Sequence, residues 1–527
     1  MGSRFRNVNT LTLEDQVGQL IIAVWPGDPE ETAALVAQGR VGGLFIPAGA
    51  APCEGELAEA LERLQRLATY PLLCLGDAEG GLGPLVPGAL ALAAARRPDL
   101  ARRAGAFAAA EARARGLQMV LAPPFDVQRD PGDLPLPAPS LGDNPLLVAT
   151  LAAAFVEGCQ GAGVLAVGRH FPGRGGALYD AGNRRWVLPH DRVALEKIDL
   201  APFAEACRAG LGAIMSGHIH VPALDSLPGR LATHSSAIAE GLLRRSLRFG
   251  GLLITSNLDA PEVRTRYGSA EAAVLAFAAG HDLLVTEHAG DAYRALYEVL
   301  QNGDIPASRL EQAGARIAAA RAWLRRQAAP ARLRAVASFW PAMPPREEDA
   351  LAGGPALARA VAQASLALLQ GRPDVLPRRG LLVVAHRPVA PGSAAVAEHL
   401  AGLAAAHGEP PALHLLDAQP SPQQLEAAVD AASAAQAALL LLDLPPGHQA
   451  GAPVEATIAL AQALKRAGLP LGVVVMGDPF PLAQLRQADL LLYSPGDTLP
   501  HLDAIFACLR GELEPCGHLP VHVPGLA

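Results

Sequence analysis

Residues 164–180 read VLAVGRHFPGRGGALYD. The apolar run Val164–Val167 predicts a short buried strand. It leads into the basic pair Arg169-His170 and then into Phe171-Pro172-Gly173. There a proline that fixes φ and a glycine that frees it predict a sharp turn at the strand's C-terminal end. A strand end that carries Arg and His and runs into a glycine-rich loop is where a parallel α/β barrel keeps the groups that meet its substrate. On composition alone the stretch reads equally as a glycine-rich loop with incidental charge.

On either side, short apolar runs alternate with Ala-rich helical stretches. Strands are predicted at Leu44–Ile46, Leu72–Leu75, Met119–Ala122, Val164–Val167, Ala213–Ser216, Leu252–Thr255 and Leu283–Val285. Runs that are apolar on both faces and are each followed by a helix mark parallel strands joined by crossovers. About seven such units in roughly 330 residues predict a TIM-like (β/α)8 barrel, an α/β fold. A doubly wound open sheet is the competing arrangement. Residues 11–23, LTLEDQVGQLIIA, carry Leu13, Val17 and Leu20 on one helical face with Thr12 as N-cap, so a helix is predicted there. A further Arg-rich helical run covers 308–335, and the Pro-rich stretch 337–355 breaks the pattern. A second series of βα units follows, with strands predicted at Gly380–Ala385, Ala412–Leu416, Ala438–Leu442, Gly472–Met476 and Asp489–Tyr493. The expected organisation is a barrel at 1–336, a linker at 337–355 and a smaller, mainly parallel α/β sandwich domain at 356–527.

With 527 residues, half of them apolar and only 18% charged, the chain is long enough for more than one packed core. A net charge of −8 argues against a nucleic-acid partner. Its apolar runs are short and interrupted, so no membrane span is expected. The opening residues lack the apolar core of a secretory signal, which makes the cytoplasm the expected compartment. Six cysteines, at 53, 74, 159, 207, 508 and 516, form no C-x-x-C pair, so neither a zinc site nor a disulfide framework is indicated. The chain has no G-x-S-x-G elbow, Walker loop or H-E-x-x-H pair, and no metal or cofactor is expected. The Pro172–Gly176 turn is a weak phosphate cradle to which Arg174 adds a charge. In the second series Gly477-Asp478-Pro479 ends a strand without a glycine fingerprint, so that domain reads as a structural companion.

Residues 169–175, RHFPGRG, resemble the K-H-F-P-G-H-G signature of glycoside hydrolase family 3 in its β-N-acetylglucosaminidase branch, with Arg169 and Arg174 as the two departures. The opening helix resembles the family's L-x-L-E-x-x-V-G-Q-L, and GHLPVHVPG near the C-terminus resembles its G-K-L-P-V-x-x-P. Asp77-Ala78-Glu79-Gly80-Gly81 resembles the family's D-x-E-G-G element, with Leu82 in place of an Arg. Residues 139–145, PSLGDNP, resemble R-S-F-G-x-D-P with Pro139 in place of a substrate-binding Arg, and residues 215–219 resemble M-x-A-H-I. The resemblance implies a barrel followed by an α/β sandwich, with Asp77, Arg169, His170 and His218 on a sugar. For His170 and His218, a histidine satisfied by backbone at a strand end is the lesser alternative.

A retaining glycosidase needs a carboxylate nucleophile and a proton donor on opposite sides of the anomeric carbon. The resemblance implies a nucleophile in an S-D-D-L motif and a donor His in a D-S-H loop. Aligned through Gly250-Gly251 and Ser256, the nucleophile position holds Asn257, and Asp259 lies two residues on as a possible substitute or as a loop or capping Asp. With Asp180 matched to the Asp of D-S-H, the His position holds Gly182; aligned on Pro189 it holds Arg185, and neither residue shuttles a proton near neutral pH. His190 lies beyond the proline and reads as an exposed-turn residue. The expected function is therefore a catalytically inactive or reassigned family 3 protein that binds an aminosugar, a cell-wall glycan fragment or a protein partner. The rival is an active exo-β-N-acetylhexosaminidase with a displaced nucleophile at Asp259, and a purely structural subunit is the third possibility.

Overall fold

The computed structural model describes residues 11–25, 29–50, 54–77, 86–128, 140–328, 353–377, 379–386, 393–407, 412–417, 419–444 and 452–526. Most of the expected linker, with Leu82, Pro139 and residues 329–335, lies outside them. The chain divides into two compact units, one made of residues 1–86, 101–127 and 148–354 and the other of 87–100, 128–147 and 355–527.

The first unit contains β1 (Ile21–Val24), β2 (Gly43–Ile46), β3 (Leu73–Asp77), β4 (Met119–Leu121), β5 (Leu165–Phe171), β6 (Leu178–Asp180), β7 (Arg185–Val187), β8 (Ala213–Ser216), β9 (Ile219–His220), β10 (Leu252–Thr255) and β11 (Leu284–Thr286). Eight of them form one parallel sheet in the order β10-β8-β5-β4-β3-β2-β1-β11. The ring closes through a parallel bridge, Ile254 to Leu283, and a Thr255 N–H to Leu283 carbonyl bond of 3.0 Å. These strands are buried almost throughout, as a sheet covered on both faces requires. The ring excludes the open doubly wound sheet. Each strand predicted in this half is found, all but β5 within one or two residues at either end.

Two expectations are corrected here. The helix predicted over 11–23 stops at Gly18, held at its start by a Thr12–Asp15 capping box. Residues Ile21–Val24 are instead β1, the strand missing from the sequence count. Continuous apolar residues serve a helix face or a buried strand equally well, so periodicity did not separate them. Gly18 lies where a Cβ would meet the Gly39 carbonyl oxygen at 1.9 Å, so the chain packs too closely there for any side chain. The second correction concerns β5, which runs on through Arg169 and His170 to Phe171, so the basic pair lies in the strand and not after it.

Under the end of β5 three rings pack edge to face. Phe203 sits 5.1 Å from Phe125 and 5.2 Å from Phe171, centroid to centroid. The Phe125 N–H donates to the Arg169 carbonyl at 2.8 Å, which fixes Phe125 and the adjoining Asp126 beside β5. The peptide bonds Arg169–His170 and Phe171–Pro172 are cis. Gly173 then turns the chain with φ +131°, and a Cβ there would stand 2.8 Å from the Asp199 Cβ.

The second unit is a six-stranded sheet of β12 (Ala367–Gln370), β13 (Leu381–His386), β14 (Ala412–Leu416), β15 (Ala437–Leu444), β16 (Leu471–Gly477) and β17 (Leu490–Ser494), in the order β12-β17-β16-β15-β13-β14. All pairs are parallel except β12 with β17. The five predicted strands are present, and the half-exposed antiparallel edge β12 was missed because its short apolar run Leu366–Leu369 follows an Ala-rich helical stretch without a turn signal. Within this unit Gln128 bonds to Gly142 and His518 to Ala94, each at 3.0 Å, so the segments 87–100 and 128–147 are tied into it.

Candidate active site

The barrel strands end in the residues that the sequence singled out. Asp77 closes β3, Arg169 and His170 lie at the end of β5, His218 follows β8, and Asn257 follows β10. Arg169 Nη1 lies 3.3 Å from Asp77 Oδ2, with both side chains largely buried. That pair links the ends of β3 and β5.

His170 is organised by Asp126, a residue the sequence reading did not single out. Its Nδ1 lies 2.8 Å from Asp126 Oδ2, and its backbone N–H donates to Asp126 Oδ1 at 3.1 Å. The backbone N–H of Arg174 donates to the same Oδ1 at 2.8 Å. One buried carboxylate thus holds both ends of the Phe171–Gly173 turn. Burial pushes the Asp126 carboxyl up, but His170 and the two backbone N–H groups outweigh it and hold the group below the ordinary carboxylate range. For His170, burial together with the Arg169 and Arg174 charges outweighs Asp126 and keeps the ring below the usual imidazole range. It is neutral at pH 7, donates through Nδ1 and keeps Nε2 as its acceptor.

His218 is committed internally. Its Nε2 lies 2.8 Å from the Asn257 carbonyl oxygen and its Nδ1 2.8 Å from Thr233 Oγ1. A carbonyl only accepts, so Nε2 carries the proton and Nδ1 faces the Thr233 hydroxyl, whose one hydrogen also faces the Gly217 carbonyl at 3.1 Å. Burial pushes this histidine down to about 4. The arrangement joins the ends of β8 and β10 and is that of a strand-end histidine satisfied by its neighbours.

Around Asn257 the side-chain Nδ2 donates to Glu287 Oε1 at 2.8 Å, and Oδ1 accepts the Asp259 N–H at 3.1 Å. Glu287 is exposed at the end of β11 and was also missed, although it follows an apolar strand run as Asp77 does. Asp259 points the other way. Its side chain is wholly buried and accepts from Ser269 Oγ, from Thr286 Oγ1 at 2.7 Å and from the Glu287 N–H at 2.7 Å. Burial raises its carboxyl, and these bonds outweigh that and hold it low. With those bonds Asp259 fastens the end of β10 to β11.

The loop after Gly173 folds into a hairpin of β6 and β7, closed by Asp180, which accepts from the Asn183 N–H at 3.1 Å and Asn183 Nδ2 at 2.8 Å. Gly182 lies in its exposed turn, and Arg185 Nε sits 3.3 Å from Asp180 Oδ2. Trp186 on β7 stacks beneath the Arg174 guanidinium, 4.5 Å from its ring centre, and donates Nε1–H to Glu262 Oε1 at 3.0 Å. His190, expected in an exposed turn, is instead four-fifths buried, its Nδ1 2.9 Å from Oδ2 of the buried Asp199. That carboxylate draws the residue inward. Among the described residues no three metal-ligating side chains converge, and no helix is long and apolar enough to cross a membrane.

Residues 12–320 match the model of the glycosyl hydrolase family 3 N terminal domain. A beta-N-acetylglucosaminidase/beta-glucosidase of Cellulomonas fimi is 28% identical over 69% of this chain and 65% of its own length, so the match spans just under two thirds of that relative. A beta-hexosaminidase of Thioalkalivibrio sulfidiphilus is 33% identical over 51% of this chain and 80% of its own. The solved structure of a glycoside hydrolase family 3 beta-N-acetylglucosaminidase from Paenibacillus superposes with a TM-score of 0.84 at 26% identity, covering 98% of this chain and 99% of that one. By its strand-end residues, its barrel and these matches, the chain belongs to glycosyl hydrolase family 3, on the side of its β-N-acetylglucosaminidases.

Proposed function

We propose that the barrel binds an aminosugar glycan at its mouth and does not hydrolyse it. Asn257 carries this reading. At the strand end where a retaining family 3 enzyme needs a carboxylate, the side chain is an uncharged carboxamide that gives one of its two N–H donors to Glu287. Gly182 supplies no proton donor, and Asp259 acts as a fastening residue whose acceptor oxygens are engaged. Asp77, Arg169 and His170 form the hydrogen-bonding set for sugar hydroxyls, with His218 as a strut behind it. The names carried by the relatives support an aminosugar as ligand, and a cell-wall fragment in the cytoplasm is the setting we infer. The binding barrel is placed within residues 1–336, the segments 87–100 and 128–147 apart, with 337–355 as the linker and 356–527 as the companion domain. Calorimetry against N-acetylglucosamine tests the binding. The expected Kd is high micromolar to millimolar, about −4 to −6 kcal/mol, and Asp77→Ala abolishes it. Equal null results for wild type and Asp77→Ala would overturn the reading.

One observation favours a second reading, an active glycosidase with a relocated nucleophile. Glu287 is an exposed carboxylate oxygen only 2.8 Å from the Asn257 side chain. Hydrolysis of an aryl β-N-acetylglucosaminide that disappears in Glu287→Gln would establish it.

A further inference from the structure

Around the turn after β5 and the hairpin facing it, Arg169, Asp126, Arg185 and Asp180 each have a partner of opposite charge or a hydrogen-bonded partner within 3.3 Å. Arg169 lies on Asp77. Asp126 is taken up by His170 and two backbone N–H groups. Arg185 and Asp180 lie on each other. Among the described residues the Arg174 side chain has no such partner. Its guanidinium makes no ion pair and no hydrogen bond, and its Nε is buried without a partner. Burial works against its charge, Arg169 adds to that, and Asp126 and Glu262 oppose it from beyond hydrogen-bonding distance.

The side chain is nevertheless fixed at both ends. Asp126 anchors its backbone N–H at 2.8 Å. The guanidinium carbon lies over the Trp186 ring, 4.5 Å from its centre, and the ring is itself held by Glu262 at 3.0 Å and by the Tyr179 ring at 5.0 Å. A guanidinium stacked on an indole spends its face and leaves its N–H edge in the ring plane, the fork that grips a carboxylate or phosphate through two parallel bonds. An unpaired, preorganised cation of this kind is costly in the free protein, and a bound anion relieves that cost.

From this geometry we infer that the sugar bound at the mouth is acidic, with a carboxylate or phosphate group on the pocket sugar itself held by Arg174. The inference rests on the proposed sugar-binding reading. Neutral hydroxyls go to Asp77, Arg169 and His170, and the anion goes to the guanidinium edge.

Titration calorimetry with N-acetylglucosamine, N-acetylglucosamine 6-phosphate and glucuronate separates the possibilities. One of the acidic sugars is expected to bind at least about tenfold more tightly than N-acetylglucosamine, about 1.4 kcal/mol, and which one does so identifies the group. The gap is expected to shrink as salt rises and to close in Arg174→Gln, which keeps affinity for the neutral sugar. Arg174→Lys, which keeps the charge without the planar fork, is expected to retain part of the gap and so excludes misfolding of the turn as its cause. Normal, Asp77-dependent binding of N-acetylglucosamine with no acidic preference would overturn this inference alone. A preference that survives in Arg174→Gln would also overturn it. Failure of all three sugars to bind would overturn it together with the sugar-binding reading.

Discussion

Asn257 donates its Nδ2 hydrogen to Glu287 Oε1 across 2.8 Å, joining the ends of β10 and β11 through one neutral and one charged side chain. A carboxylate at position 257 would face that glutamate oxygen at hydrogen-bonding distance with no proton between them. The carboxamide therefore suits Glu287, and the pair is read as a unit.

In Asn257→Asp, one carboxyl of the new pair is expected to titrate higher than either does alone, because like charges resist joint ionisation. The folded state then binds more protons than the unfolded state above about pH 4, so the variant loses stability as pH rises from about 4 to 7. Solvent around Glu287 limits the loss to about 1 kcal/mol. Urea unfolding at pH 4.5 and 7.5 checks this, and Asn257→Asp with Glu287→Gln is expected to recover the loss.

Acid sensitivity is expected to begin near pH 6.5. His218 is buried and neutral, with its folded value pushed down to about 4, so the unfolded chain binds a proton that the folded chain refuses between those limits. Its contribution is fully present above pH 6.5 and lost as pH falls, roughly 3 kcal/mol by pH 4. His170 and His281 are shifted in the same direction. Asp126, held low, adds a further loss only below about pH 4. Stability curves from pH 7.5 to 4 are expected to flatten in His218→Gln, which keeps a donor for the Asn257 carbonyl.

Asp126→Asn is expected to loosen the Phe171–Gly173 turn. The carboxylate takes three bonds that an amide satisfies only in part, so a loss of about 2–3 kcal/mol follows, with weaker sugar binding because His170 and Arg174 lose their common anchor. Chemical denaturation and calorimetry on one variant measure both effects.

Gly173→Ala is expected to lose about 2–3 kcal/mol or to fold poorly. A Cβ there would meet the Asp199 Cβ at 2.8 Å, and φ of +131° is open to little but glycine. Gly182→Ala in the hairpin turn, where φ is not positive and the nearest atom is 3.5 Å away, serves as the tolerant control.

The strands were legible where apolar runs stood between turns; Arg169 and His170 were found at the end of such a run, and Asp77 and Asn257 through motifs that resemble those of the family. β1 was not, because LIIA continues the apolar face of a helix without a break in composition. The hairpin of β6 and β7 was hidden in a loop that reads as polar and glycine-rich, and with it Trp186 and its hold on Arg174. Asp126 lies 44 residues from His170, and Asn257 and Glu287 are 30 apart, so neither pairing leaves a local pattern. Glu287 carried the same strand-end signal as Asp77. His190 read as exposed because its partner, Asp199, lies in the π-helical turn Leu195–Asp199 that sequence spacing does not announce.

The most direct measurement is the intact mass of the protein after incubation with an activated 5-fluoro-N-acetylglucosaminyl fluoride, at a concentration above the Kd measured for N-acetylglucosamine. Such a sugar slows the second step of a retaining glycosidase, so a covalent glycosyl-enzyme accumulates wherever a nucleophile exists. With Asn257 at the strand end the mass is expected to stay unchanged. A single added sugar that maps to Glu287 or Asp259 would contradict binding without hydrolysis and would show that the nucleophile has moved.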